Sequence, residues 1–327
     1  MSAITIKGLW SVLKEAGSNL MKDKVPKLSA SLAYYTVFSI GPMLIVIIYL
    51  ANLFYGKDAI EGRVFGEIRS LLGDKGALQI QEIIKNATIS GNSTITAVIG
   101  FVTLFLAATT VFAEVQDTIN SIWKLEVKPE RGWLKMLRTR LLSFSLVISL
   151  GFLLLVSLVI NSLLEGLMDR IELLFPDLKV VVLYIINLLI TLLVITSLFA
   201  IIFKVLPDAV IKWRDVIAGA IFTAILFMIG KFGITLYIRT SDVGSTYGTA
   251  GSLVILLLWV YYSSIILYFG AEFTKAWAVK FGSTIIPNEY AVTVHLVKVE
   301  TGKGSIQENE EQVKQTEDHL KKLEQKG

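Results

Sequence analysis

Gly244–Trp277 reads GSTYGTAGSLVILLLWVYYSSIILYFGAEFTKAW. From Ala250 to Phe273 the stretch holds a single carboxylate, Glu272, and no basic residue. At about 1.5 Å per residue, a helix of this length crosses the roughly 30 Å of hydrocarbon in a bilayer. Tyr247, Tyr261, Tyr268 and Glu272 recur at intervals that bring them within about 40° of one line on that helix. One side of the span is therefore polar. Gly244, Gly248 and Gly251 punctuate its start, where the chain can bend, break the helix or let another backbone approach closely.

The rest of the chain has the same character. Of its 327 residues 54% are hydrophobic, more than the ~45–50% typical of soluble domains, so the bilayer must be its solvent. It has no cysteine and only two histidines, His295 and His319, both beyond the last apolar run. Disulfides, thiolate metal sites and a histidine site inside the membrane are thereby excluded.

Further apolar runs predict an all-α polytopic membrane protein with six transmembrane helices and amphipathic interfacial helices. The spans fall at about 28–54, 94–114, 141–164, 179–206, 215–238 and 250–275. Residues 1–27 precede them as an amphipathic N-terminal helix, in which Leu9, Trp10, Leu13 and Ala16 alternate with Lys7, Lys14 and Lys22. That pattern suits a helix lying in the headgroup plane, with a merely solvated helix docked on the bundle as the alternative. The first apolar run is too long for a signal peptide and no small-residue cleavage site follows, so it is expected to stay in the mature chain. In the first span Ser31, Tyr35, Pro42 and Tyr49 share a face, and Pro42 should kink the helix. The segment 55–93 is too polar to span but carries apolar residues at helical intervals, predicting an external amphipathic loop.

The second span should continue as helix to Trp123. Thr96, Thr103, Thr110 and Asp117 recur every second turn along it, with Glu114 and Ser121 on the same side, a stripe that faces protein or water rather than lipid. The basic residues Lys124, Lys128, Arg131, Lys135, Arg138 and Arg140 follow. Together with the N-terminal lysines and with Lys204, Lys212 and Arg214, they place both termini in the cytoplasm by the positive-inside rule. Beyond Trp277, VTVHLVKVE (Val292–Glu300) alternates like a short strand, and 286–327 reads as a charged cytoplasmic tail. Its apolar positions from Val313 to Leu323 are too few to define a coiled coil, which leaves a solvated tail and a partner or homo-oligomer contact both open.

Ionisable groups within or beside the spans are few: Glu114, Asp117, Lys231 and Glu272. A charge at mid-bilayer costs roughly 2.5–3.5 kcal/mol on insertion scales, so each must be paired, reach the headgroups or line water. Glu114 and Glu272 lie at cytoplasmic helix ends. Their bland reading is pairing with nearby lysine or arginine; the functional one is a gate or a proton-coupled acid. Lys231 falls in the outer half of the fifth span, where reaching outward to the headgroups competes with contacting an anion or lipid headgroup inside a cavity. The tyrosine line of the last span is helix packing on one reading and a pathway lining on the other. A Walker glycine loop, a His/Asp metal cluster and a G-x-S-x-G motif are all missing, so no enzyme, metal site or cofactor is expected. The net charge of +4 requires no nucleic-acid partner.

Taken in order, KLSASLAYYTVFSIGPMLIVII (Lys27–Ile48), DTINSIW (Asp117–Trp123) and the final YGTAGSLVILLLWVYYSSIILYFGAEFT resemble the YihY/virulence factor BrkB family of bacterial inner-membrane proteins. The likeness covers residues 1 to about 285. It implies six membrane helices with both ends in the cytoplasm, the arrangement that the charge pattern gives independently. It implies little chemistry: members have been linked to transport or envelope lipid roles, and the ribonuclease label attached to some is not carried over. The expected function is movement of an amphiphilic or small solute, such as an envelope lipid, along the polar faces of spans one, two and six. Candidate pathway or gating residues are Tyr35, Pro42, Thr103, Thr110, Glu114, Asp117, Lys231, Tyr247, Tyr261, Tyr268 and Glu272, with membrane lipids as partners. A non-transporting scaffold acting through the cytoplasmic tail is the alternative.

Overall fold

A computed structural model describes residues 5–39, 102, 110–128, 179–241 and 251–294. The expected external loop 55–93, the span 141–164, most of 94–114, the positions Pro42, Thr103 and Tyr247, and the tail beyond 294 lie outside the described residues. The chain divides into two units, Met1–Thr293 and Val294–Gly327.

The described helices are α1 (Ile6–Lys22), α2 (25–39), α3 (110–122), α4 (Lys179–Val205), α5 (Trp213–Thr240) and α6 (Gly251–Phe281). The last three hold stretches long and apolar enough to cross a membrane: Leu188–Val205, Trp213–Tyr237 and Leu253–Phe281. They coincide with the fourth, fifth and sixth expected spans, and α6 runs one and a half turns further than anticipated. On α5 the residues Ile217, Ile221, Ile225, Ile229, Phe232 and Leu236 stay exposed. A continuous apolar stripe of this length suits acyl chains rather than water. Buried or half-buried hydroxyls within the spans satisfy themselves on their own helix: Ser263 Oγ donates to Trp259 O at 2.8 Å and Ser264 Oγ to Val260 O at 2.7 Å.

Between lipid-solvated helices the hydrophobic effect supplies little attraction, so close backbone approach must hold them together. α5 and α6 achieve it by reciprocal notches. A Cβ at Gly219 would collide with Thr274, one at Gly270 with Thr223, and one at Gly230 with Tyr262. The two helices therefore run antiparallel in a fixed register. Each threonine hydroxyl is satisfied within its own helix, Thr223 Oγ1 donating to Gly219 O and Thr274 Oγ1 to Gly270 O, both at 2.7 Å. Aromatic rings fill the flanks: Phe222 stacks on Phe273 with centroids 3.9 Å apart, and Phe227 meets Trp259 edge-on. Phe199 of α4 joins Phe227 from the other side.

α1 begins at Thr5, whose side chain accepts from Gly8 N at 3.2 Å, and docks on the end of α6. Its docking face is Gly8, Val12 and Ala16, packed with Phe273, Ala276 and Phe281. The small residues go inward because the rings opposite them are large. Ile6, Leu9, Trp10 and Met21 remain exposed beside Lys7 and Lys14, so the helix is docked and still presents an amphipathic face.

Two short antiparallel ribbons add to the helices. β1 (Leu125–Val127) pairs with β4 (Ala291–Thr293), and β2 (Ala209–Val210) with β3 (Ile286–Pro287). The chain after α6 thus returns to the segments that follow α3 and α4. Of the expected strand at Val292–Glu300 only Val292 and Thr293 fall in β4, Val294 is not strand, and the residues beyond it lie outside the described set.

Candidate functional site

The ribbons gather the ends of α3, α4 and α6 and the start of α5 at one end of the bundle. Two buried aspartates organise that junction. Asp208 Oδ2 accepts from Asn120 Nδ2 at 2.8 Å and Gln116 Nε2 at 3.2 Å, and Oδ1 accepts from Asn288 Nδ2 at 3.2 Å. Its own backbone N–H donates to Asn120 Oδ1 at 2.8 Å. Asp215, in the first turn of α5, accepts from the Ser283 N–H and hydroxyl at 3.0 and 2.7 Å. Buried carboxylates with this many donors tie elements together. Trp123 Nε1 adds a bond to Ala271 O at 3.1 Å, and Lys275 Nζ one to Ile122 O at 2.5 Å, joining α3 to α6. Lys204 Nζ reaches Ile211 O and lies 5.7 Å from the centroid of the Trp213 ring.

Glu272 breaks this pattern. Its side chain is fully buried in the same end of α6, yet among the described residues neither carboxyl oxygen has a hydrogen-bond partner. The charged groups acting on it are Asp23 in the α1–α2 turn, Lys124 after α3, and Lys275 on its own helix. Both lysines are engaged elsewhere: Lys124 Nζ donates to Asp23 Oδ1 at 2.6 Å, and Lys275 holds the Ile122 carbonyl. Two more buried hydroxyls, Tyr268 and Ser29, are likewise without a bond. Tyr268 faces Thr118 and Glu114 of α3, and Ser29 shares the buried face of α2 with Val25 and Leu32. Orphaned polar atoms in a closed interior are costly and uncommon, and two of the three residues concerned, Tyr268 and Glu272, lie one turn apart on α6.

The remaining candidates scatter around this centre. Tyr268 and Glu272 are buried on one line of α6, and Tyr261, further along it, is half-buried. Glu114 is half-buried on α3, whereas Thr110 and Asp117 are exposed. Tyr35 is exposed in a small aromatic group, its ring 5.8 Å from that of Tyr34, which in turn lies 4.7 Å from Phe38. Lys231 continues the face of α5 that buries Ala220 and Ala224, but is itself exposed. It adjoins Gly230, over which Tyr262 lies. The face closed at Ala224 is open at Lys231.

Asp208, Asp215, Gln116, Asn120 and Asn288 were not singled out from the sequence. Asn120 and Trp123 sit inside DTINSIW, but their partners are distant in sequence: 88 residues separate Asn120 from Asp208. Both lysines with left-handed backbone, Lys24 (φ 55°) and Lys124 (φ 58°), stand at the Asp23–Lys124 contact. Such backbone is uncommon for residues with a side chain. Among the described residues no group of three His, Asp or Glu side chains is arranged to hold a metal ion.

The family model described as virulence factor BrkB matches residues 16–285. A UPF0761 membrane protein of Tolumonas auensis is 28% identical over 262 residues, covering 77% of this chain and 80% of its own. One from Alteromonas mediterranea is 29% identical, covering 77% and 83%. One from Stenotrophomonas maltophilia is 26% identical over 79% of this chain and 58% of its own greater length. No solved structure matches. With a match across most of its length and three membrane-crossing helices, this chain belongs to the virulence factor BrkB family and is an integral membrane protein.

Proposed function

We propose that this protein moves an amphiphilic or small solute, such as an envelope lipid, across the bacterial inner membrane through a six-span bundle whose polar junction faces the cytoplasm. The observation that carries the reading is Glu272: a buried carboxyl beside the α1–α2 turn and the end of α3, with no donor among the described residues committed to it. A carboxyl held only for stability would be met by donors, as Asp208 and Asp215 are. Lys231, exposed on the face that is closed at Ala224, supplies a cation that an anionic headgroup could meet on the far half of α5. Orientation follows the bases at the junction, Lys124, Lys128, Lys204, Lys212 and Arg214, which favour the cytoplasmic side. The exposed Ile6, Trp10 and Met21 beside Lys7 and Lys14 suit contact of α1 with anionic lipid there.

Reconstitution into proteoliposomes tests the reading, with NBD-labelled phosphatidylglycerol as the lipid probe and a water-soluble anionic dye as the small-solute probe. Wild type should accelerate transfer of one probe over empty vesicles. Lys231→Met and Glu272→Gln should each slow it by about tenfold, the scale of one charge-assisted contact. Transfer no faster than in empty vesicles for either probe overturns the reading. The scaffold alternative draws on the separation of Val294–Gly327 as its own unit. Truncation after Val294 leaves the ribbons intact and distinguishes the two, since a scaffold loses its associations while a transporter keeps its flux.

A further inference from the structure

Asp23 and Glu272 face one another across the α1–α2 turn and the end of α6. Asp23 already has a donor: its Oδ1 accepts from Lys124 Nζ at 2.6 Å. Glu272 is enclosed, with no donor to either oxygen among the described residues. As a second carboxylate it would meet a like charge with nothing bonded to it. As a carboxylic acid it carries its own donor, and Asp23 is the acceptor that faces it.

We propose that Glu272 and Asp23 form a proton-binding site, in which a proton on Glu272 joins the last membrane helix to the α1–α2 turn. The ligand is a single proton: the Glu272 O–H donates to the Asp23 carboxylate. On release the proton passes to the Asp23 carboxylate, whose side chain keeps 14% of its surface in contact with solvent, and from there to water. No electron or second reactant is involved.

The surrounding charges determine what release would do. From α1, Glu15 faces Lys275; from the α1–α2 turn comes Asp23; from the end of α3 comes Lys124; α6 itself brings Lys275 and Tyr268, the latter facing Glu114 of α3. Once Glu272 is ionised, Lys275 is the cation on its own helix that can turn to it. In doing so Lys275 abandons Ile122 O and frees the end of α3 from α6. The positive φ of Lys24 and Lys124 places backbone strain on both sides of this contact, as expected where a junction has two arrangements. The site rests on the reading of Glu272 as a functional acid, but it binds a proton whether or not a solute moves.

The test is infrared spectroscopy of the full-length protein in lipid nanodiscs, following the carboxylic-acid C=O stretch against pH, with thermal unfolding as a check of folding. Wild type should show a protonated-carboxyl band that disappears as pH rises. Glu272→Gln should lose that band, Asp23→Asn should move the pH of its disappearance, and Glu114→Gln should leave it in place. Hydrogen exchange at α2 and the end of α3 should speed up over the same pH interval in wild type and not in Glu272→Gln. A band that persists in Glu272→Gln, or no band in wild type at any pH where the protein is folded, overturns the proposal. So does a band that disappears on replacing choline with sodium at constant pH, which would make this a metal-cation site. Proton binding without flux of either probe would leave the site standing and remove the transport reading.

Discussion

Asp208 and Glu272 are both buried acids at the same end of the bundle, and their surroundings could hardly differ more. Asp208 receives three amide donors from α3 and from the chain after α6, and its backbone bonds complete a network spanning three segments. Glu272 receives none from the described residues. Burial alone is thus a poor guide to role; what separates a structural acid from an available one is whether donors have been committed to it. The α5–α6 contact makes a third case. It uses glycine notches filled by threonine and tyrosine, and its two threonine hydroxyls bond within their own helices.

Substitutions can break this contrast in a definite order. Gly219→Leu or Gly270→Leu should have the largest effect, because the added side chain meets Thr274 or Thr223 inside a fixed antiparallel register. Overpacking of this kind costs about 1–3 kcal/mol and more where nothing can yield, so the purified protein should aggregate or unfold well below wild type in a detergent thermal melt. Asp208→Ala comes next. It leaves Gln116, Asn120 and Asn288 without their acceptor, a loss of roughly 1–3 kcal/mol once the site relaxes, and should loosen both ribbons, as read by hydrogen exchange at 209–210 and 286–293. Trp123→Phe keeps the packing and removes only the bond to Ala271 O, an expected loss of about 1 kcal/mol in the same melt. Thr5→Ala removes the α1 cap for about 0.5–1 kcal/mol, felt locally as faster exchange in the first turn of α1.

The three described spans were legible because uninterrupted apolar length is a strong signal, and α4, α5 and α6 begin within two residues of their expected starts. The notches between α5 and α6 are also written in the sequence, as Gly219-x-x-x-Thr223 and Gly270-x-x-x-Thr274, but nothing in that spacing sets them apart from Gly244, Gly248 and Gly251. α1 was legible as an amphipathic helix and not in its orientation, since the rings of Phe273 and Phe281 select its small face. The ribbons are two or three residues long and carry no periodicity to read. Asp208 and Asp215 looked like ordinary loop acids, because the donors that define them come from distant segments. Glu272 stood out as the lone carboxylate of its span, but that it lacks donors is a property of three dimensions.

The most direct measurement compares the unfolding of Glu272→Gln and Asp208→Asn with wild type in the same lipid nanodiscs. Asp208→Asn replaces an acceptor with a partial donor among three amide donors and should lower the melting temperature clearly, whereas Glu272→Gln removes a carboxyl to which no donor is bound and should melt at or above wild type. A Glu272→Gln protein destabilised as much as Asp208→Asn would show that Glu272 is a structural acid like its neighbour, contradicting the distinction on which the functional reading is built.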